Sequence, residues 1–294
     1  MKMNVTRNIE IEGENGRPIL IDTLYQETSE NLPVIIFCHG FKGFKDWGAW
    51  DLMGLAFARS LSISTPLNDH GVEGKAGYLF IKFNYSHNGG TKEQPIDFPD
   101  LEAFGNNNYS IELRDTKRVL DWLKQSDLPA TNDITLIGHS RAGGIATIVA
   151  SKDHRVTRLV TMASVAHYDQ RFPQGEELQK WKQNGVYYIK NGRTQQEMPL
   201  YYQFYEDFQR NSDQLNIIKA ARNLKVPHLI IHGDADPTVA VQDSHDLKAA
   251  SLKSELRILR GTDHVFGASH PWDKDHLPAD LRQVVQCVLN FIDA

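Results

Sequence analysis

The sequence predicts an α/β architecture, a mostly parallel central sheet with helices on both faces. Two observations carry this. Continuous apolar runs of strand length alternate with stretches of helical periodicity along most of the chain. One run, Ile134-Thr135-Leu136-Ile137, ends at Gly138 and passes through Ser140 directly into the apolar stretch from Ile145 to Ala150.

The elements follow in order. Residues 5–11 and 18–25 alternate apolar and polar around Gly13-Glu14-Asn15-Gly16 and predict an opening antiparallel hairpin. Pro33 to Cys38 is a continuous apolar run, as expected of a strand covered on both faces, and it leads into His39-Gly40-Phe41. A helix over 49–62, then a polar loop, then a buried strand over 78–85 come next. Ile111, Leu113, Val119, Leu120 and Leu123 predict a helix over 109–124. The strand–Ser140–helix unit follows, and Val156 to Ala163 is a further strand. From 166 to 222 the alternation stops and the chain becomes polar and aromatic, which predicts an inserted lid on a single domain spanning 1–294. Val226 to Gly233 restores the sheet, and a helix over 241–251, a strand over 256–259 and a helix over 278–292 complete it.

Bulk properties narrow the function. The net charge of −5 is mild and mixed in sign, with no basic stripe for nucleic acid. No apolar run approaches membrane-spanning length and the N-terminus lacks a signal-peptide core, so neither a membrane nor secretion is expected. Cys38 and Cys287 sit far apart among apolar neighbours and are expected reduced, which suits a cytoplasmic protein. Twelve histidines raise the question of a metal, but no His-x-x-x-His with a nearby Glu and no Cys pair occurs, so neither metal nor cofactor is expected. Self-association as a homodimer is left open.

A strand that turns sharply into a helix around a serine is the layout of a nucleophile elbow. Residues two before and two after the serine nearly touch there, so Gly138 and Ala142 meet the need for small side chains. Such a serine requires a base and an orienting acid. Asp236, on the turn beyond the strand ending at Gly233, is the predicted acid; Asp234 is expected to serve the turn itself. His264, in the Gly-containing loop after the last strand, is the predicted base, with His270 as a solvent-facing fallback; His154, His245 and His276 are expected on the surface. The oxyanion donors are expected to be the backbone N–H groups of Arg141, next to the serine, and of Phe41, after the first long buried strand.

His39-Gly40-Phe41, Gly138-His139-Ser140-Arg141-Ala142-Gly143-Gly144, Gly233-Asp234-Ala235-Asp236 and Gly261-Thr262-Asp263-His264 together resemble the α/β-hydrolase superfamily over nearly the whole chain. Within it the chain is similar to dienelactone-hydrolase-like esterases, including bacterial cinnamoyl (feruloyl) esterases, which carry an insertion where 166–222 stands here. The resemblance implies an α/β-hydrolase fold, a Ser140–Asp236–His264 triad, an oxyanion hole of Phe41 and Arg141, and hydrolysis of a small-molecule ester without cofactor or metal. Tyr187, Tyr188, Tyr201 and Tyr202, on a predicted hairpin around Asn191-Gly192, are the expected substrate-pocket residues. Two further readings share the fold: a serine peptidase of the prolyl-oligopeptidase type, and a catalytically silent binding protein.

Overall fold

The computed structural model describes residues 2–60 and 77–294. Strand β1 (Met3–Ile11) pairs antiparallel with β2 (Ile19–Gln26), the register slipping between Thr6 and Ile9 where Asn8 takes a positive φ of 52°. Then come β3 (Leu32–Cys38), α1 (Trp50–Ala58) and β4 (Leu79–Asn84). The last two residues of the predicted 49–62 helix, and most of the polar loop expected after it, lie outside the described residues. After β4 a short α2 (Leu101–Gly105) precedes α3 (Tyr109–Gln125). Asn108 caps α3, its side chain accepting the Ile111 N–H at 2.9 Å. Strand β5 (Ala130–His139), α4 (Arg141–Ala150) and β6 (Val156–Met162) follow.

The next segment contains α5 (Gly175–Asn184), β7 (Val186–Lys190), β8 (Glu197–Tyr201), α6 (Gln203–Asn211) and α7 (Ile217–Asn223). The predicted hairpin is present, β7 and β8 flanking Asn191-Gly192. Strand β9 (His228–Gly233), α8 (Val241–Ala250), β10 (Ser254–Leu259) and α9 (Ala279–Ile292) close the chain.

Among the described residues eight strands form one sheet in the order β1-β2-β4-β3-β5-β6-β9-β10, and β7-β8 form a separate two-stranded ribbon. Every pair from β4 to β10 is parallel, while β1 and β2 add an antiparallel edge. The central strands are apolar on both faces because helices cover both. Val34, Ile36 and Cys38 of β3 face the core shared with α3, α4 and α7, whereas Ile35 and Phe37 face the core shared with α1 and α9. Both cysteines are free thiols. Among the described residues no helix is long and apolar enough to cross a membrane.

The chain leaves β3 toward β4 on one side, then resumes at β5 on the other. The β3–β5 boundary is therefore the switch point where open α/β sheets carry their sites, beyond the carboxyl ends of the strands. Cys38 pairs with Gly138 across that boundary, so the loop after β3 emerges beside the turn after β5. Gly233 pairs with Leu259 and brings the loops after β9 and β10 to the same edge.

Candidate active site

Ser140 stands between β5 and α4 with φ 58° and ψ −123°, a conformation that costs about 1–3 kcal/mol and persists only where the surroundings enforce it. Here the Ser140 N–H donates to the Met162 carbonyl at 2.8 Å, and its own carbonyl accepts the Gly143 N–H at 3.0 Å. A Cβ on Gly138 would lie 2.3 Å from the Ala142 carbonyl oxygen, so only glycine fits there. Gly40 is constrained in the same way: its Cβ would come within 2.8 Å of the Ser140 Cβ.

Three of the predicted side chains converge. His264 Nε2 lies 3.0 Å from Ser140 Oγ, and His264 Nδ1 lies 2.7 Å from Asp236 Oδ2. An ionised carboxylate only accepts, so Nδ1 carries the hydrogen and Nε2 is free to accept from the hydroxyl. The Asp236 side chain is fully buried and its Oδ1 accepts the N–H groups of Thr238 and Val239 at 2.7 and 2.9 Å. Burial alone would raise this carboxyl. Hydrogen bonds from His232, His264 and the Val239 N–H outweigh it and hold the carboxyl far below the usual range. Asp234 instead accepts the Gly261 N–H at 2.5 Å, linking the loops after β9 and β10.

The loop after β3 carries the other predicted donor. Gly43 N–H bonds the Gly40 carbonyl at 3.1 Å, closing a turn with Phe41 and Lys42 at its centre. Among the described residues the backbone N–H groups of Phe41 and Arg141 find no acceptor, which leaves both available at the serine. Buried charges anchor this loop from behind. Lys45 Nζ is 2.9 Å from Asp22 Oδ2, Lys82 Nζ donates to the Lys45 carbonyl at 2.9 Å, and Lys45 N–H donates to Asn84 Oδ1 at 2.6 Å. Asp22, Asp46 and Asp51 have cation-ligand spacing. The ammonium groups of Lys45 and Lys82 and the Arg7 guanidinium already neutralise them, so the trio is an ion-pair network and not a metal cradle.

A cavity of about 1020 Å³ opens over Ser140 and His264. Its walls mix polar and charged side chains with aromatic rings that include Trp47, Tyr109, Phe172, Trp181, Tyr187 and Phe204. The Arg141 side chain lies in this wall, its guanidinium carbon 3.8 Å from the Phe41 ring centroid and its Nη1 3.3 Å from Glu112 Oε1. Burial pushes the Glu112 carboxyl up in spite of Arg141 and Asn107 beside it.

Of the four tyrosines expected to line the pocket, only Tyr187 does. Tyr188 is 55% exposed, the Tyr201 hydroxyl donates to Glu102 Oε2 at 2.5 Å, and Tyr202 packs on Trp181 and Tyr205. The cause is strand alternation. Adjacent residues point to opposite faces, so the ribbon presents Tyr187, Ile189 and the paired Leu200 to the cavity and turns Tyr188 and Tyr201 away. His270 departs from expectation as well: its Nδ1 accepts the Gly48 N–H at 2.9 Å and its ring packs on Phe44, at the cavity wall and not in open solvent. His154, His245 and His276 are exposed.

Two further histidines had no motif to announce them. His139 Nε2 lies 2.9 Å from the His264 carbonyl oxygen, and His232 Nε2 lies 3.0 Å from the Val239 carbonyl and 3.3 Å from Asp236 Oδ2. Their one signal was adjacency, His139 preceding the serine and His232 preceding the glycine of the acid turn.

A family model for the alpha/beta hydrolase fold matches residues 33–194, more than half of the chain, and the protein belongs to that family. Comparison with curated protein sequences returned no match. Among solved structures, Est1E from Butyrivibrio proteoclasticus is similar with a TM-score of 0.69 and 15% identity, over 98% of this chain and 99% of that one. The same protein with ferulic acid bound gives 0.70 and 16%, over 97% of each chain. A putative hydrolase from Agrobacterium vitis S4 gives 0.67 and 17%, over 99% of this chain and 100% of that one. At these identities the likeness speaks to the fold.

Proposed function

We propose that this hydrolase is a serine carboxylic-ester hydrolase acting through an acyl-enzyme on small esters, with aryl, hydroxycinnamate-type acyl groups as the favoured class. The observation that carries the reading is the continuous relay from Ser140 Oγ through both His264 nitrogens to the buried Asp236 carboxylate. In it, His264 Nε2 takes the hydroxyl proton as Ser140 Oγ attacks the ester carbonyl, and Asp236 stabilises the resulting imidazolium. The carbonyl oxygen gains charge and is met by the Phe41 and Arg141 N–H groups, at the positive end of α4. The imidazolium then protonates the leaving alkoxide. Water, deprotonated by the same histidine, releases the acid and restores Ser140. Side chains and backbone of this chain supply every group these steps use.

The aromatic walls support an apolar, planar acyl group, because rings bury area at little conformational cost. Similarity in fold to Est1E, solved with ferulic acid bound, points the same way. In this reading residues 166–222 act as the lid, with α5 and the β7–β8 ribbon over the cavity and α7 packed on the body, where Ile217 approaches Gly144 of α4.

A fluorophosphonate probe should label the wild type at Ser140. Ser140→Ala should lose both labelling and turnover across a panel of p-nitrophenyl and hydroxycinnamate esters. Full esterase activity in that variant would end the assignment, and cleavage of proline-containing peptide amides in preference to esters would replace it with a peptidase.

A further inference from the structure

Among the described residues four lysine and arginine side chains line the cavity, and three already have carboxylate partners. Arg141 pairs with Glu112 at 3.3 Å, Arg171 with Asp243 at 2.6 Å, and Arg193 with Asp97. The fourth, Lys42, has no carboxylate or hydrogen-bond acceptor among the described residues. Its Nζ lies 6.0 Å from the Phe41 ring centroid, at the outer limit of a cation–π contact. Glu177, the acidic residue among the described residues of the wall, is exposed on α5 and forms no ion pair with it.

Position makes the unmatched charge informative. Lys42 is the third residue of the Gly40–Gly43 turn with φ 54°, a place that favours glycine or asparagine because a Cβ is strained there. Lys42 shares this uncommon conformation with eight other non-glycine residues among those described, Ser140 included. The same turn touches the nucleophile through Gly40 and offers the Phe41 N–H, and Lys42 lines the same cavity as Ser140. Lys42 is half-buried, and burial pushes its ammonium down from the ordinary lysine range, a cost that an anionic ligand would offset.

We infer that Lys42 forms a carboxylate-binding subsite at the mouth of this cavity, and that the preferred ester carries a free carboxylate beside its reacting bond. The inference rests on the ester-hydrolase reading above and names the substrate class for that site. A compact ammonium suits it, acting as a point charge on an anion that arrives partly hydrated.

Two matched substrate pairs test it on the full chain. The carboxylate is on the acyl side in p-nitrophenyl hemisuccinate against p-nitrophenyl butyrate. It is on the alcohol side in carboxymethyl against methyl p-hydroxycinnamate. At least one anionic ester should exceed its neutral match about tenfold in kcat/KM, the size of one charge-assisted hydrogen bond. That ratio should shrink between about 0.02 and 0.5 M salt as the charges are screened. It should collapse in Lys42→Met and persist in Lys42→Arg, and the responding pair identifies which side of the ester carries the anion. Should Lys42→Met fold poorly, Lys42→Asn, suited to the left-handed turn, serves in its place. Hydrolysis of the neutral esters with no anionic preference, or a preference that survives removal of the ammonium, overturns the subsite alone. Failure of the wild type on all four esters, or undiminished turnover in Ser140→Ala, overturns the hydrolase reading itself.

Discussion

The imidazole of His139 donates its Nε2 hydrogen to the backbone carbonyl of His264, 2.9 Å away, with the two rings 4.9 Å apart. Burial, reinforced by His264 nearby, pushes His139 down to about 3 and keeps it neutral. Its ring is wedged against Trp50 and Phe266, so it holds the loop that carries His264. A misplacement of about 1 Å at a reacting group costs on the order of a hundredfold. His139→Phe should therefore lower kcat by roughly ten- to a hundredfold while KM moves little, and His139→Gln, which keeps a donor, should recover part of that loss. Steady-state kinetics on a p-nitrophenyl ester separate the two parameters; a change confined to KM would contradict this role.

Asp236 sits between two imidazoles, accepting from His264 at 2.7 Å with His232 at 3.3 Å. Asp236→Asn keeps the shape but presents an amide where Nδ1–H must donate, which favours the wrong tautomer of His264. Such a change in a serine–histidine–acid relay costs about 10⁴-fold in kcat. His232→Gln should be far milder, since His264 keeps its carboxylate. Burst and steady-state rates on an activated ester check both variants, and equal losses in the two would mean that the acid is held chiefly by His232.

The sheet was legible in the sequence because strands buried on both faces read as unbroken apolar runs, and β3, β5 and β9 all end at a glycine or histidine turn where the run stops. The relay was legible because each member follows a strand at one sheet edge. What escaped lay where burial is one-sided or supplied by tertiary partners. Helices α5 and α6 are mostly polar and bury few apolar residues, Trp181 in α5 and Phe204 and Phe208 in α6, so no apolar run marked them, although α6 is strongly amphipathic. On the β7–β8 ribbon consecutive tyrosines looked equivalent as a composition, although alternation turns Tyr187 and Leu200 to the cavity and Tyr188 and Tyr201 away, and Tyr202 lies beyond the end of β8. The Asp22–Lys45–Lys82 network joins three separate parts of the chain and has no local signature.

Gly40 tests the coupling between fold and site. A methyl group there would meet Ser140 Cβ at 2.8 Å and the His139 carbonyl at 3.1 Å, backbone and side chain that the elbow holds rigidly. Gly40→Ala must push the β3 loop away from the serine and carry the Phe41 N–H with it. Loss of one such donor costs about a hundred- to a thousandfold in kcat. Thermal unfolding measured alongside should shift modestly, because the displacement is confined to the loop. Wild-type turnover in Gly40→Ala would remove the Phe41 N–H from the mechanism.

Acid sensitivity follows from the histidines the fold keeps neutral. Burial pushes His39 and His87 down to about 4 and His139 and His228 to about 3, from ordinary values near 6.5. Each binds a proton more readily unfolded than folded, so stability is complete above about pH 6.5 and falls as pH drops toward 4. Asp115, raised by burial to about 6, and Glu112, also raised by burial, work in the opposite direction as pH falls below about 6 and blunt the slope. The net expectation is a loss of several kcal/mol of unfolding free energy between about pH 7 and 5. His228 isolates one share of it, because it is fully buried and its Nε2 lies 2.9 Å from Thr161 Oγ1, a bond that glutamine can imitate. Urea unfolding of His228→Gln should show a shallower decline than wild type over that range, with the gap closing above about pH 7. A gap of constant size at every pH would mean that the variant lost packing and that His228 contributes nothing to the acid response.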